Sequence, residues 1–184
     1  MYTKYVKRCL DVIFSIILIV ILWPIFIIVG VISKITTGSI LFKQNRDGLN
    51  QKSFVIYKFK SMRDGDCADH LRIPKIMKYI RGLGLDELPQ LVNILKGDMS
   101  FVGPRPFITG EKLPIEPEYI IYTVLPGVVS LAVANGRRRI SHKKRLDYDY
   151  IYATNISFKL DIYIIYKTII VLLKQNFRGG SWKK

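Results

Sequence analysis

Two adjacent carboxylates, Asp86 and Glu87, stand directly before Leu88-Pro89, and a Gly103-Pro104-Arg105-Pro106 turn follows them. Pro89 suits the first turn of a helix, where its missing N–H costs nothing. Leu88, Leu91, Val92 and Leu95 recur at helical spacing, and Gly97 is placed to end the helix. Neighbouring helical residues point about 100° apart, so two carboxylates can share one mouth and do different jobs. Unpaired N–H groups and the helix dipole favour negative charge at such a start, which predicts an ionised Asp86. An ionised aspartate can be a nucleophile or an oxygen ligand for Mg²⁺. The same residues also read as a helix cap, for which Asp is well suited. Arg105 sits between two prolines, so its guanidinium is offered from a stiff turn and suits two-pronged binding of a phosphate. A surface arginine bonded to nearby carbonyls is the plainer reading.

A chain of 184 residues allows one domain. The formal net charge is +15, which points to nucleic acid, or to anionic lipid headgroups and phosphorylated substrates. Hydrophobic residues at 49% exclude a disordered basic tail. Cys9 and Cys67 form no metal or disulfide pattern and suit a reducing cytoplasm. His70 and His142 are too isolated for a zinc site. The strongest basic cluster is Arg137-Arg138-Arg139 with Lys143-Lys144-Arg145. It comes without a helix-turn-helix, zinc-finger or RNA-recognition signature, so nucleic acid is not expected. It reads as a solvated loop, or as a site for lipid headgroups or a substrate diphosphate.

Residues 12–33 carry no charge and are long enough to cross a bilayer. Roughly 20 apolar residues at about −0.4 kcal/mol each favour insertion by several kcal/mol. The run is too long for a signal peptide and lacks a small-x-small cleavage site. Lys4, Lys7 and Arg8 precede it, and Lys34, Lys43 and Arg46 follow it. The positive-inside rule therefore asks for both flanks on the cytoplasmic side, which one straight span does not allow. Pro24, near the middle, bends a helix, so a broken helix that re-enters the same face satisfies both facts.

Beyond this anchor, residues 39–44 and 54–60 read as strands joined by a turn at 45–50, a β-hairpin. Residues 63–71 read as a polar loop, and 74–80 as a short basic helix ending at Gly82 or Gly84. Residues 117–124 look helical. Residues 162–173 form an apolar helix interrupted by Lys167, either core or interfacial.

The block from Leu85 through Pro106, with its Asp-Glu-Leu-Pro and Gly-Asp-Met-Ser-Phe-Val-Gly-Pro-Arg-Pro, resembles the hallmark of the bacterial sugar transferases, the small monotopic phosphoglycosyl transferases. The resemblance covers nearly the whole chain. Lys7-Arg8-x-x-Asp11 before an apolar run is similar to the family's start, where a re-entrant helix anchors the enzyme. Lys43-Gln44-x-Arg46-x-Gly48, Phe54-x-x-Tyr57-Lys58-Phe59-Lys60-Ser61-Met62, Pro126-Gly127-Val128, Asn135-Gly136-Arg137 and Ser157-x-x-Leu160-Asp161 resemble further family motifs. Arg81 matches a family arginine. The chain departs from the pattern at Trp23 (usually Ser), Gly84 (usually Ser), Lys60-Ser61 (commonly Arg-Thr), Val129-Ser130 (Thr-Gly) and Val133-Ala134 (Gln-Val).

The resemblance implies an α+β, mostly helical fold with an N-terminal re-entrant membrane helix, one short β-hairpin and interfacial amphipathic helices. Residues 1–36 would be the anchor and 37–184 the cytoplasmic catalytic domain. It implies transfer of a phospho-sugar from a UDP-sugar to polyprenol (undecaprenyl) phosphate, releasing UMP through a covalent aspartyl intermediate. The reaction would begin synthesis of a capsule, O-antigen or glycoprotein at the cytoplasmic face of the bacterial inner membrane. Asp86 and Glu87 would be catalytic and hold Mg²⁺, and Lys58, Arg81 and Arg105 would clamp phosphate. Asn135, Arg137 and Asp161 are further substrate or metal candidates, although Asp161 reads equally as a structural ion pair. UDP-sugar, polyprenol phosphate and membrane lipid are the expected partners, and a homodimer is compatible with this. Charge and anchor alone would also permit a membrane-anchored binder of anionic lipid or nucleic acid. The departures from the pattern would permit a degenerate transferase that binds without turnover.

Overall fold

The computed structural model describes residues 2–110, 118–136 and 140–177. It is mostly helical. One long helix, α1 (Lys7–Thr37), is followed by the strands β1 (Leu41–Asp47) and β2 (Ser53–Phe59). Next come α2 (Asp69–Arg72), α3 (Lys75–Leu83) and, after a 3₁₀ turn at Leu85–Glu87, α4 (Gln90–Lys96). The strands β3 (Ser100–Val102), β4 (Phe107–Ile108) and β5 (Gly127–Val129) precede α5 (Leu131–Ala134), α6 (His142–Thr154) and α7 (Phe158–Phe177).

The expected hairpin is present: β1 and β2 pair antiparallel from Leu41 opposite Phe59 to Asp47 opposite Ser53. β4 adds to the free edge of β1, and β3 and β5 form a parallel pair, neither of which the sequence pattern predicts. That parallel pair brings the two Gly-Pro and Pro-Gly motifs together. The Gly103 N–H donates to the Val129 carbonyl, and the Gly127 N–H donates to the Pro104 carbonyl at 2.8 Å. A Cβ on Gly127 would lie 2.0 Å from the Gly103 nitrogen, so both glycines are required by backbone contact.

α1 continues through Pro24 as one helix, so the expected break into two helices is not seen. Among the described residues it alone is long and apolar enough to cross a membrane. One face is exposed and apolar, with Phe14, Ile17, Val20, Ile21 and Trp23. The other face packs on the domain along its length. Leu18 and Ile19 meet Ile56, Leu91, Ile94 and Met99, while Val29 joins Phe59, Ile73, Met77 and Ile80. Both ends are also tied by polar bonds. Near the start, Arg8 donates to the Ile94 and Leu95 carbonyls, and Asp11 accepts from the Phe101 N–H. Near the end, Ser33 donates to the Lys60 carbonyl. The Lys7-Arg8-x-x-Asp11 motif is thus a clip that fixes the helix to the domain.

Asn93 performs a comparable task inside. Its amide accepts from the Tyr57 N–H and donates to the Val55 carbonyl, so α4 completes the edge of β2 as a strand would. Gly97 ends α4 in the left-handed conformation, as its position in the sequence implied. The basic helix 74–80 is α3, and Gly84 ends it in the same way. The helical reading of 117–124 becomes a 3₁₀ stretch at Glu118–Thr123, with Pro117 outside the described residues.

Candidate active site

The 3₁₀ turn Leu85–Glu87 opens onto a cavity of about 820 Å³. Its walls come from β1, β2, α3, the Pro-Arg-Pro turn, β5 and the helices α5 to α7. Eight Lys and Arg residues line it against three Asp and Glu, which makes it a site for an anion.

Asp86 lies in this wall and is only 8% exposed. It is not a cap: no side chain caps the 3₁₀ turn or α4, whose N-cap position is Pro89. Its surroundings also do not favour its charge on balance, unlike the helix-start setting the spacing predicts. Burial raises its pKa above the ordinary aspartate range, and the neighbouring Glu87 raises it further. Arg81 and Lys58 oppose that shift by favouring the charged form. Ser61 links Asp86 to Arg81: its hydroxyl accepts from Arg81 Nη1 at 2.9 Å and faces Asp86 Oδ2 at 3.4 Å. Lys58 Nζ bonds Glu87 Oε1 at 2.9 Å. The dyad and two of the three expected cations therefore meet around one buried carboxylate.

Arg105, the third cation, is exposed and lines the same cavity. Arg46, which lines the same cavity, holds this turn, donating to the Pro106 carbonyl at 3.1 Å and to Gln44 Oε1 at 2.6 Å. This gives the Gln44-x-Arg46 motif a physical role that spacing alone did not reveal.

Asn135 and Asp161 do not line the cavity. Asn135 donates from its amide to the Leu131 carbonyl, in the last turn of α5. Asp161 accepts from Tyr2, Lys7 and Tyr152, so its oxygens are engaged in joining the N-terminus to α6 and α7. Of its two readings, the structural ion pair is the one the geometry matches. Arg137 lies outside the described residues. In the sequence Ser61 shows only a retained hydroxyl; its place beside the dyad depends on β2 running past the 3₁₀ turn. Val129 and Val133, two departures from the family pattern, also line the cavity.

Among the described residues, no three His, Cys, Asp or Glu gather as a protein-only metal cage. Mg²⁺ asks for less, because one or two carboxylates suffice when water and substrate phosphate complete the octahedron. Asp86 and Glu87 each destabilise the other's charge, a repulsion that a divalent cation relieves. The donor set therefore fits.

A helix-anchored α+β domain with a basic cavity over a buried carboxylate is suited to holding a phosphorylated substrate against a nucleophile. The chain belongs to the bacterial sugar transferase family, whose model matches residues 2–175. It is 39% identical over 172 residues to the uncharacterized sugar transferase EpsL of Bacillus subtilis (strain 168), covering 89% of this chain and 85% of EpsL. It is 35% identical to the UDP-N-acetylgalactosamine-undecaprenyl-phosphate N-acetylgalactosaminephosphotransferase of Aeromonas hydrophila, over 92% of this chain and 44% of that protein. It is 33% identical to the UDP-glucose:undecaprenyl-phosphate glucose-1-phosphate transferase of Klebsiella pneumoniae, over 89% of this chain and 39% of that one. The chain thus spans most of EpsL and less than half of the other two.

Proposed function

We propose that this chain moves a phospho-sugar from a UDP-sugar to undecaprenyl phosphate and releases UMP. The observation that carries the reading is a buried carboxylate, Asp86, facing a strongly basic cavity beside Glu87, Lys58 and Arg81. The names of the two longer relatives support the same donor and acceptor classes.

In the first step a carboxylate oxygen of Asp86 attacks the sugar-linked phosphorus. The bond from that phosphorus to the bridging oxygen breaks, and UMP leaves with the electron pair. In the second step an oxygen of the acceptor phosphate attacks the same phosphorus and frees Asp86. Lys58 and Arg81 favour the ionised nucleophile and neutralise the phosphate it approaches. Ser61 orients Asp86 through the Arg81 hydrogen bond. Asp86 and Glu87 would hold Mg²⁺, which supplies charge neutralisation for a diphosphate.

The membrane arrangement follows from the same frame. That both ends of α1 are bonded to one domain supports an arrangement in which both lie on the domain's side of the bilayer and lipid covers the exposed apolar face. With basic flanks at each end, that side is the cytoplasmic one.

The test is UMP release from a panel of UDP-sugars with undecaprenyl phosphate. Wild type should turn over at least one sugar, and Asp86→Asn none, because an amide oxygen cannot replace the nucleophile. Release by Asp86→Asn at the wild-type rate would refute the assignment. Failure of every sugar with the wild type would favour binding without turnover.

A further inference from the structure

Of the run Lys143-Lys144-Arg145 at the start of α6, Lys143 and Lys144 are exposed, whereas Arg145 is half-buried and lines the cavity with Arg105. The two arginines come from different elements, the Pro-Arg-Pro turn and α6. They are close enough that Arg105 lowers the pKa of Arg145, adding to the larger effect of burial. Behind them, one turn further along α6, Asp149 is fully buried. Its charged form is favoured by the Arg105 backbone N–H and by the charges of Arg145 and Arg105. Among the described residues neither of its oxygens makes a hydrogen bond of good geometry. Burial pushes its pKa up to about 7, so at neutral pH it offsets only part of one positive charge.

Two guanidinium groups that line one cavity wall and repel each other favour an anion between them. Lys58 and Arg81 already surround the dyad and suit the phosphate under attack. We propose that Arg145 and Arg105 together form the subsite for the other phosphate of the donor, the one that departs on the nucleotide. This rests on the proposed UDP-sugar reaction and extends it to a residue outside the family-like motifs quoted above. It also gives the leaving phosphate its own charge stabilisation, separate from the nucleophile's surroundings.

The experiment compares UMP with uridine by calorimetric titration of the purified full chain in detergent. The two ligands differ by the phosphate alone. Wild type should prefer UMP, and Arg145→Gln should lose about ten- to a hundredfold of that preference while holding uridine as before. Arg145→Lys keeps the charge without the fork and should lose part of it, which preserves the test if the Gln variant does not fold. Lys143→Gln, an exposed neighbour, should change nothing. Equal preference for UMP in wild type, Arg145→Gln and Arg145→Lys overturns the subsite, as does an equal loss in Lys143→Gln, which would mean a general charge effect. UMP release in the turnover assay is read separately. A chain that releases UMP but shows no Arg145 effect refutes only the subsite. A chain that binds UMP through Arg145 without turnover refutes only the reaction.

Discussion

At the residue scale, Asp86 is buried beside Glu87, which raises its pKa, and beside Arg81 and Lys58, which lower it. The type and spacing of Asp86, Glu87 and Arg105 singled them out, and the cavity brings all three together. A helix start does not set the electrostatics of Asp86, because burial, a property of the tertiary fold, is the largest influence on it. Ser61 and Arg145 were present in the sequence without a signal that separated them from their neighbours, since their place is set by elements distant in the chain. Arg105 offers a direct test. Its turn is held by flanking prolines and by Arg46, so Arg105→Lys should keep the fold and lose the fork. Catalytic efficiency should fall ten- to a hundredfold, on the order of 1–3 kcal/mol, measured as kcat/KM for the UDP-sugar. Normal efficiency in that variant would remove Arg105 from the phosphate site.

Asp149 makes a second prediction at this scale. Its folded pKa, about 7, lies above that of an unfolded aspartate. Between an unfolded pKa of about 3.9 and that value, the folded chain holds a proton that the unfolded chain has released. Stability contributed by this group is therefore fully present at low pH and is lost as pH rises through the folded pKa. Asp149→Asn mimics the protonated form and does not titrate. Its melting temperature should fall less than that of wild type between about pH 4 and 7, the window these two values define. Parallel melting curves for the two proteins across that range would contradict the assignment.

At the element scale, the long, strongly patterned segments were readable: the apolar α1, the hairpin, α4 after the dyad and the apolar α7. Three strands of two or three residues were not, because β3, β4 and β5 are too short to show a period and pair with distant partners. α6 was hidden for another reason. Its buried positions, Leu146, Asp149 and Tyr152, recur at helical spacing, but one is a carboxylate, and the first turn is strongly basic. The anchor's behaviour also follows from contacts that composition does not show. Pro24 bends a helix in principle, yet it is Arg8, Asp11 and Ser33 that hold both ends to one domain. Single cysteines at Thr3 and at Lys34, in a chain whose Cys9 and Cys67 are changed to Ser, should both resist a membrane-impermeant thiol reagent in intact cells. Labelling of position 3 from outside would establish a transmembrane span.

At the scale of the whole molecule, the +15 charge and the apolar anchor act together. On the proposed reading, the anchor would bring the domain to the lipid surface that holds the acceptor, and the basic cavity would draw the nucleotide diphosphate from solution. Membership in the bacterial sugar transferase family was legible because its motifs are local in sequence. The identity of the sugar was not, because the cavity wall is assembled from segments far apart in the chain, and Val129 and Val133 change that wall at positions where the family pattern is polar.

The central claim is that Asp86 becomes covalently attached to the sugar phosphate before any acceptor is present. The most direct measurement is mass spectrometry of the purified chain after incubation with an active UDP-sugar, Mg²⁺ and no undecaprenyl phosphate. The account predicts a mass gain equal to one sugar phosphate on the peptide containing Asp86, accompanied by UMP, and discharged when the acceptor is added. Full turnover with acceptor, but neither adduct nor UMP in its absence, would contradict the covalent route and favour direct transfer between the two substrates.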